Sequence, residues 1–196
     1  MKHKYALSLM DFNENSKFYS DLLKAKANAY ATGWSFLPFV KEVYLCNSVT
    51  IGNARKNSDI DLLIVTQRHS MFLARLVWMF YFWIALQRPL FGFKPNQVCP
   101  SVWLDGDLEL IETFALDYDP YLDLWKDSLC LLLKKPSKKT SIIVRLLNKL
   151  IGSLMLFKIK KSKPDHHCII ANWKVLKFHH KDVRLRFKNC FWVDNR

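Results

Sequence analysis

Two aspartates, Asp59 and Asp61, stand two residues apart in the run SDIDLLIV, Ser58 to Val65. Side chains alternate along a β-strand, so both carboxylates point to one face while Ile60, Leu62 and Ile64 point to the other. Like charges held side by side repel, and a chain tolerates them when a cation or a shared proton relieves the repulsion. Carboxylates converging from one sheet face can hold Mg²⁺, and phosphoryl and nucleotidyl transfer rely on such ions to neutralise developing charge. Just upstream, VYLCNS ends an apolar strand in a small polar turn, where backbone N–H groups and a hydroxyl can cradle phosphate.

The elements that must position these residues show in the periodicity. Phe18, Tyr19, Leu22, Leu23, Ala27 and Tyr30 recur at three-to-four spacing, which predicts a helix from Asn13 or Asn15 to about Thr32. Strands are expected at Lys41 to Cys46, Asp59 to Thr66, Gln97 to Leu104 and Leu108 to Thr113, with a turn at Asp105-Gly106-Asp107. Met71 to Leu86 is an unbroken apolar run except for Arg75. As a helix it would span about 24 Å, short of the roughly 20 residues of a membrane crossing, which favours a buried core helix over an interfacial one. Further on, helices are expected at Pro120 to Leu133 and Ser141 to Phe157, separated by the linker-like KKPSKK, Lys134 to Lys139.

Charge divides the chain of 196 residues. From Lys134 onward there are 17 Lys and Arg against three acids, so the whole excess of the formal +13 lies in the C-terminal third. A basic segment beside a neutral body suggests contact with phosphates of RNA or of a membrane surface, with a solvated lysine-rich face as the plain alternative. The apolar content of 51% excludes general disorder. Five widely spaced cysteines without a CxxC pair read as free thiols of a reducing compartment, and the N-terminus shows no secretory signal, so a cytoplasmic location is expected.

The chain resembles the nucleotidyltransferases of the DNA polymerase beta superfamily in the pair Asn47-Ser48 at the end of VYLC, the spacer VTIGNARKN and the run NSDIDLLIV. The resemblance implies an α/β (α+β) fold, a nucleotidyltransferase-like mixed sheet flanked by helices, here carrying a basic C-terminal helical extension. It implies a domain over residues 1–134 and the extension over 135–196. It further implies divalent metal, Mg²⁺ or Mn²⁺, at Asp59 and Asp61 and an NTP whose phosphates are held by Ser48 and the backbone of Asn47, with Arg55 or Lys56 neutralising phosphate charge. The expected reaction moves a nucleoside monophosphate to an acceptor hydroxyl. The alternative is a catalytically weak or inactive member acting as an RNA-binding or antitoxin-like partner module.

Two positions depart from the family pattern. Asn47 stands where the family has Gly, a residue that permits unusual dihedrals and close approach to phosphate. The third carboxylate of the family has no counterpart in the body of VCPSVWL, where Ser101 takes the slot, and Asp105 or Asp107 would serve only if that strand ran longer. Outside this constellation, His166-His167 and His179-His180 read as surface or partner-contact histidines. Asp117, Asp119, Asp123 and Asp127 read as a helix-start cluster. Trp173, Phe178, Phe187, Phe191 and Trp192 alternate with Lys174, Lys177, Arg184, Arg186 and Lys188, either as a base-stacking basic surface or as a small core with solvated lysines.

Overall fold

The computed structural model describes residues 14–86, 97–111, 126–161 and 168–178. In chain order these form α1 (Glu14–Trp34), β1 (Val40–Leu45), α2 (Ser48–Ile51), β2 (Ile60–Thr66), α3 (Met71–Leu86), β3 (Val98–Asp105), β4 (Cys130–Lys134), α4 (Ile142–Lys161), β5 (Cys168–Ala171) and β6 (Val175–Phe178). The six strands make one sheet in the order β4-β1-β2-β3-β6-β5. Only β2 and β3 run parallel; the other neighbouring pairs are antiparallel, so the sheet is mixed.

Strand β2 lies inside this sheet and is apolar on both faces, as a doubly covered strand must be. Ile60, Leu62 and Ile64 join Val43 and Leu45 of β1 in a core with Leu23, Ala27 and Trp34 of α1 and Phe72 and Trp78 of α3. Leu63 and Val65 face the other way, into a smaller cluster with Cys46, Val102, Leu104 and Val175. The period-two reading of the SDIDLLIV run is therefore realised in the packing. The buried stripe of α1 is shifted from the expected one: Phe18 and Leu22 are exposed, while Ser16, Ser20, Leu23, Ala27 and Trp34 are buried. Small residues there let the helix come close, and Ser20 Oγ accepts the buried N–H of Ala54 at 3.1 Å.

Two expected elements come out differently. Cys130 to Leu133, expected at the end of a helix, forms strand β4 on the edge of the sheet beside β1. A run of consecutive apolar residues fits helix and strand alike, and the open edge of β1 decides the outcome. Leu108 to Ile111, expected as a strand, begins with turn hydrogen bonds from Leu110 N to Asp107 O and Ile111 N to Leu108 O. The KKPSKK segment is tied down: Gln67 Nε2 donates to Pro136 O, and Gln67 Oε1 accepts from Lys138 N at 2.8 Å. The boundary between residues 134 and 135 falls between β4 and α4, and the chain beyond it supplies α4 and the hairpin β5–β6, which pairs with β3.

The first half of helix α3 is buried as expected of a core helix, while Phe80 and Ile84 further along are exposed. Met71, Phe72, Ala74 and Trp78 are inaccessible, and Arg75 lies with its guanidinium 6.0 Å from the centre of the Trp103 ring. Among the described residues no helix is long and apolar enough to cross a membrane. The first N–H groups of α3 have no carbonyl one turn back and need acceptors from elsewhere. Asp105, at the end of β3, accepts from His69 N and Ser70 N. Asn148, from the middle of α4, accepts from Phe72 N at 2.8 Å and Leu73 N at 3.1 Å through one buried oxygen. Beside it Gly152 has no room for a side chain, since an added Cβ would meet Trp173 and Phe72 at 2.6 and 2.7 Å.

Replacing Asn148 by Leu leaves two N–H groups at the start of α3 without their acceptor. Asn148→Leu is expected to lower unfolding stability by about 2 kcal/mol or more, read from the urea midpoint at unchanged m-value.

Candidate active site

The end of β1, the turn into α2 and the start of β2 meet at one place. Cys46 N donates to the Asp61 carbonyl at 3.0 Å, which extends the β1–β2 pairing to the residue before the turn. Asn47 then takes φ 63° and ψ −143°, a conformation populated almost only by Gly. The backbone at the position of the family's Gly thus has the path a Gly would give it, and Asn, the side chain most tolerant of positive φ, occupies it. Its carbonyl accepts from Thr50 N and Ile51 N to open α2, and Ser48 is the first residue of that short helix. Gly52, left-handed at φ 86°, ends it.

The side chain of Asn47 points at the carboxylates: its Nδ2 donates to Asp61 Oδ2 at 2.9 Å. Asp59 precedes β2 and adds like charge to Asp61 on the same face. Burial, more than that charge, drives the Asp61 carboxyl up to about 6, against the Asn47 amide, the Lys177 ammonium and the Cys99 thiol, all of which favour the ionised form. Cys99 stands opposite Asp61 on the parallel strand β3. Its thiol is kept protonated by burial first and then by the charges of Asp61 and Asp59. A second thiol, Cys46, lies against the Asp61 carbonyl at 3.4 Å.

Lys177 was unforeseen in this role. In the sequence it looked like one cation of a basic and aromatic surface, yet its side chain is buried, 2% exposed. Lys177 pairs with Val102, which pairs with Leu63, so it occupies the face of the sheet that carries Asp61. The alternation in VLKF was the available signal: Val175 and Lys177 share a face, and Val175 is buried in the cluster of that face.

Strand β3 does run on to Asp105, but this does not supply the third carboxylate. Asp105 pairs with Thr66, five residues along β2 from Asp61 and so about 16 Å away at strand spacing. It is committed to the start of α3. Asp107 is bound to Arg68 at 2.6 Å and lies 3.5 Å from Lys41. Ser101 is buried and donates to the Leu62 carbonyl. Arg55 and Lys56 lie exposed in the loop between α2 and β2, where Arg55 N and Ser58 Oγ are 2.8 Å apart. The histidine pairs, Asp117, Asp119, Asp123 and the aromatic and basic residues from 179 onward lie outside the described residues. Among the described residues no group of three or more His, Cys, Asp or Glu could hold a metal ion.

The mixed sheet thus brings the two carboxylates at and just before the start of its inner strand close to a strained polar turn. The chain belongs to the nucleotidyltransferase domain family, whose sequence model matches residues 31–151. That match contains β1, the turn, β2, β3, β4 and the first half of α4. No curated protein and no solved structure matches the chain.

Two predictions follow from this geometry. The Asp61 carboxyl binds its proton more tightly in the folded chain than in the unfolded one, so without metal its contribution to stability is fully present below about pH 4. The protein should lose on the order of 2 kcal/mol as pH rises to about 6, and Asp61→Asn should flatten that slope in urea titrations across the range. At position 47, Asn47→Ala keeps the unfavourable dihedrals and removes the amide from Asp61, whereas Asn47→Gly relieves the backbone. The Gly variant is expected to be more stable than the Ala variant by about 1 kcal/mol or more in the same assay.

Proposed function

We propose that the protein transfers a nucleoside monophosphate from an NTP to an acceptor hydroxyl. The observation that carries this reading is the Gly-like turn at Asn47 held directly against Asp61, the carboxylate that Asp59 adjoins. The donor set fits one divalent ion: two hard carboxylate oxygens on one face, one of them burdened by burial and by its neighbour's charge. Asp59 and Asp61 would hold Mg²⁺ or Mn²⁺, which when bound supplies charge neutralisation at the phosphates. Ser48 and the backbone at Asn47 hold the triphosphate, and Arg55 and Lys56 reach it from the exposed loop. The acceptor hydroxyl oxygen bonds to the α-phosphorus as the bond to pyrophosphate breaks, and the hydroxyl proton leaves to solvent. Residues 1–134 form the nucleotidyltransferase-like domain, and the basic residues 135–196 position the acceptor, for which RNA is the chemistry best matched to their charge. Cys46, Cys99 and Cys130 stand outside disulfides, which agrees with a cytoplasmic setting.

A second reading is favoured by one specific observation. Where a third acid would complete the metal set, the face next to Asp61 carries the protonated thiol of Cys99 and the buried ammonium of Lys177. In this reading Lys177 is a resident counter-ion, turnover is weak or absent, and the fold serves as an RNA-binding or antitoxin-like partner module.

Thermal shifts with each of the four NTPs, with and without Mg²⁺, separate the two. Transfer activity predicts a metal-dependent rise with at least one NTP, on the order of a few degrees at saturating ligand, which Asp59→Ala/Asp61→Ala abolishes. The resident counter-ion predicts no metal-dependent rise, together with salt-sensitive RNA binding that Asp59→Asn and Asp61→Asn leave intact.

A further inference from the structure

Helix α4 carries a second apolar face that nothing in the described structure covers. One side, with Asn148, Ile151, Gly152, Met155, Leu156 and Ile159, packs on the body of the protein. The opposite side presents Ile142, Ile143, Leu146, Leu147, Leu150 and Leu154, each 44–66% exposed. At about 100° per residue these six side chains cover a stripe about 140° wide, along a helix about 30 Å long. Contiguous exposed apolar area of this kind marks an interaction surface.

The charges around the stripe are all of one sign. Arg145 and Lys149 border it on one side and Lys158 on the other, Lys160 and Lys161 follow at its end, and α4 contains no acid. A facing copy of this helix would set basic borders against basic borders. A single partner helix needs a narrower seam than this stripe. RNA would use the cations and leave the leucines in water. A lipid layer accepts a broad apolar face, and anionic headgroups complement cations that border it on both sides.

We propose that α4 is an in-plane docking helix that seats the protein on an anionic lipid surface, with the exposed stripe in the acyl boundary and Arg145, Lys149 and Lys158 at the headgroups. The bound protein does not span the bilayer: α4 lies flat, and its other side stays on α3. This inference is independent of whether Asp59 and Asp61 support transfer. It gives the basic third a partner whose phosphates are part of a surface.

The test is co-sedimentation of the full-length protein with vesicles of phosphatidylcholine alone and of phosphatidylcholine with phosphatidylserine, at low and moderate salt. The expected result is binding to the anionic vesicles and little to the neutral ones. Leu150→Ser/Leu154→Ser should weaken that binding by about tenfold per leucine removed, with unchanged far-UV circular dichroism and thermal midpoint. Arg145→Gln/Lys149→Gln should weaken it less and reduce its salt dependence. Three results would overturn the proposal. They are no binding to anionic vesicles, binding that the serine pair leaves unchanged, and a wild-type oligomer that the serine pair dissociates, since a second copy would then cover the stripe.

Discussion

The constraint on which the rest of the site depends is the presence of two carboxylates on one face of an inner strand. Asp61 is carried into partly buried surroundings by the same apolar alternation that makes β2 a core strand, so the packing of Leu62 and Ile64 fixes where its charge must sit. Beside the like charge of Asp59, three groups answer that charge: an amide from the strained turn, a thiol from the parallel neighbour β3 and an ammonium from β6 on the same face of the sheet. Burial keeps the carboxyl harder to ionise than an ordinary aspartate in spite of all three.

The same arrangement shows why one sequence supports two readings of its activity. The turn preserves the backbone path that the family makes with Gly, at the expense of an unfavourable dihedral at Asn47. A chain under no demand for that path could relax it by shifting the turn. The neighbouring strands, however, offer a protonated sulfur and an ammonium where a carboxylate would normally complete the set. The family match shows the scaffold, and the thiol and ammonium beside Asp61 are properties of this chain.

Much of the fold could be read from the sequence because its signals are local. Alternation in the SDIDLLIV run separates the two faces of β2, and the helical spacing around Leu23 and Ala27 announces α1. The features that escaped depend on partners far along the chain. The run CLLLK is apolar at every position but the last, and only the free edge of β1 makes it a strand. Lys177 looks like any cation in a basic tail until β6 pairs with β3 and turns it inward. Asp105 has the type but not the position of a third ligand, since it pairs with Thr66 at the other end of β2, and the unmet N–H groups at the start of α3 claim it.

The start of α3 has a consequence for the order in which the chain can become native. Its acceptors come from Asp105 and from Asn148, and the latter lies 76 residues beyond the N–H group it receives. The inner edge of β3 likewise waits for Val175 to Phe178. During synthesis, residues 1–134 therefore emerge with an exposed strand edge and an apolar helix whose first turn is incomplete, features that invite pairing with other chains. High separation in sequence also slows the closing step, because loop closure must precede the contacts that reward it. The basic third acts in this sense as an internal late-arriving clamp, and a chain interrupted before it would be a candidate for aggregation or for capture by a chaperone.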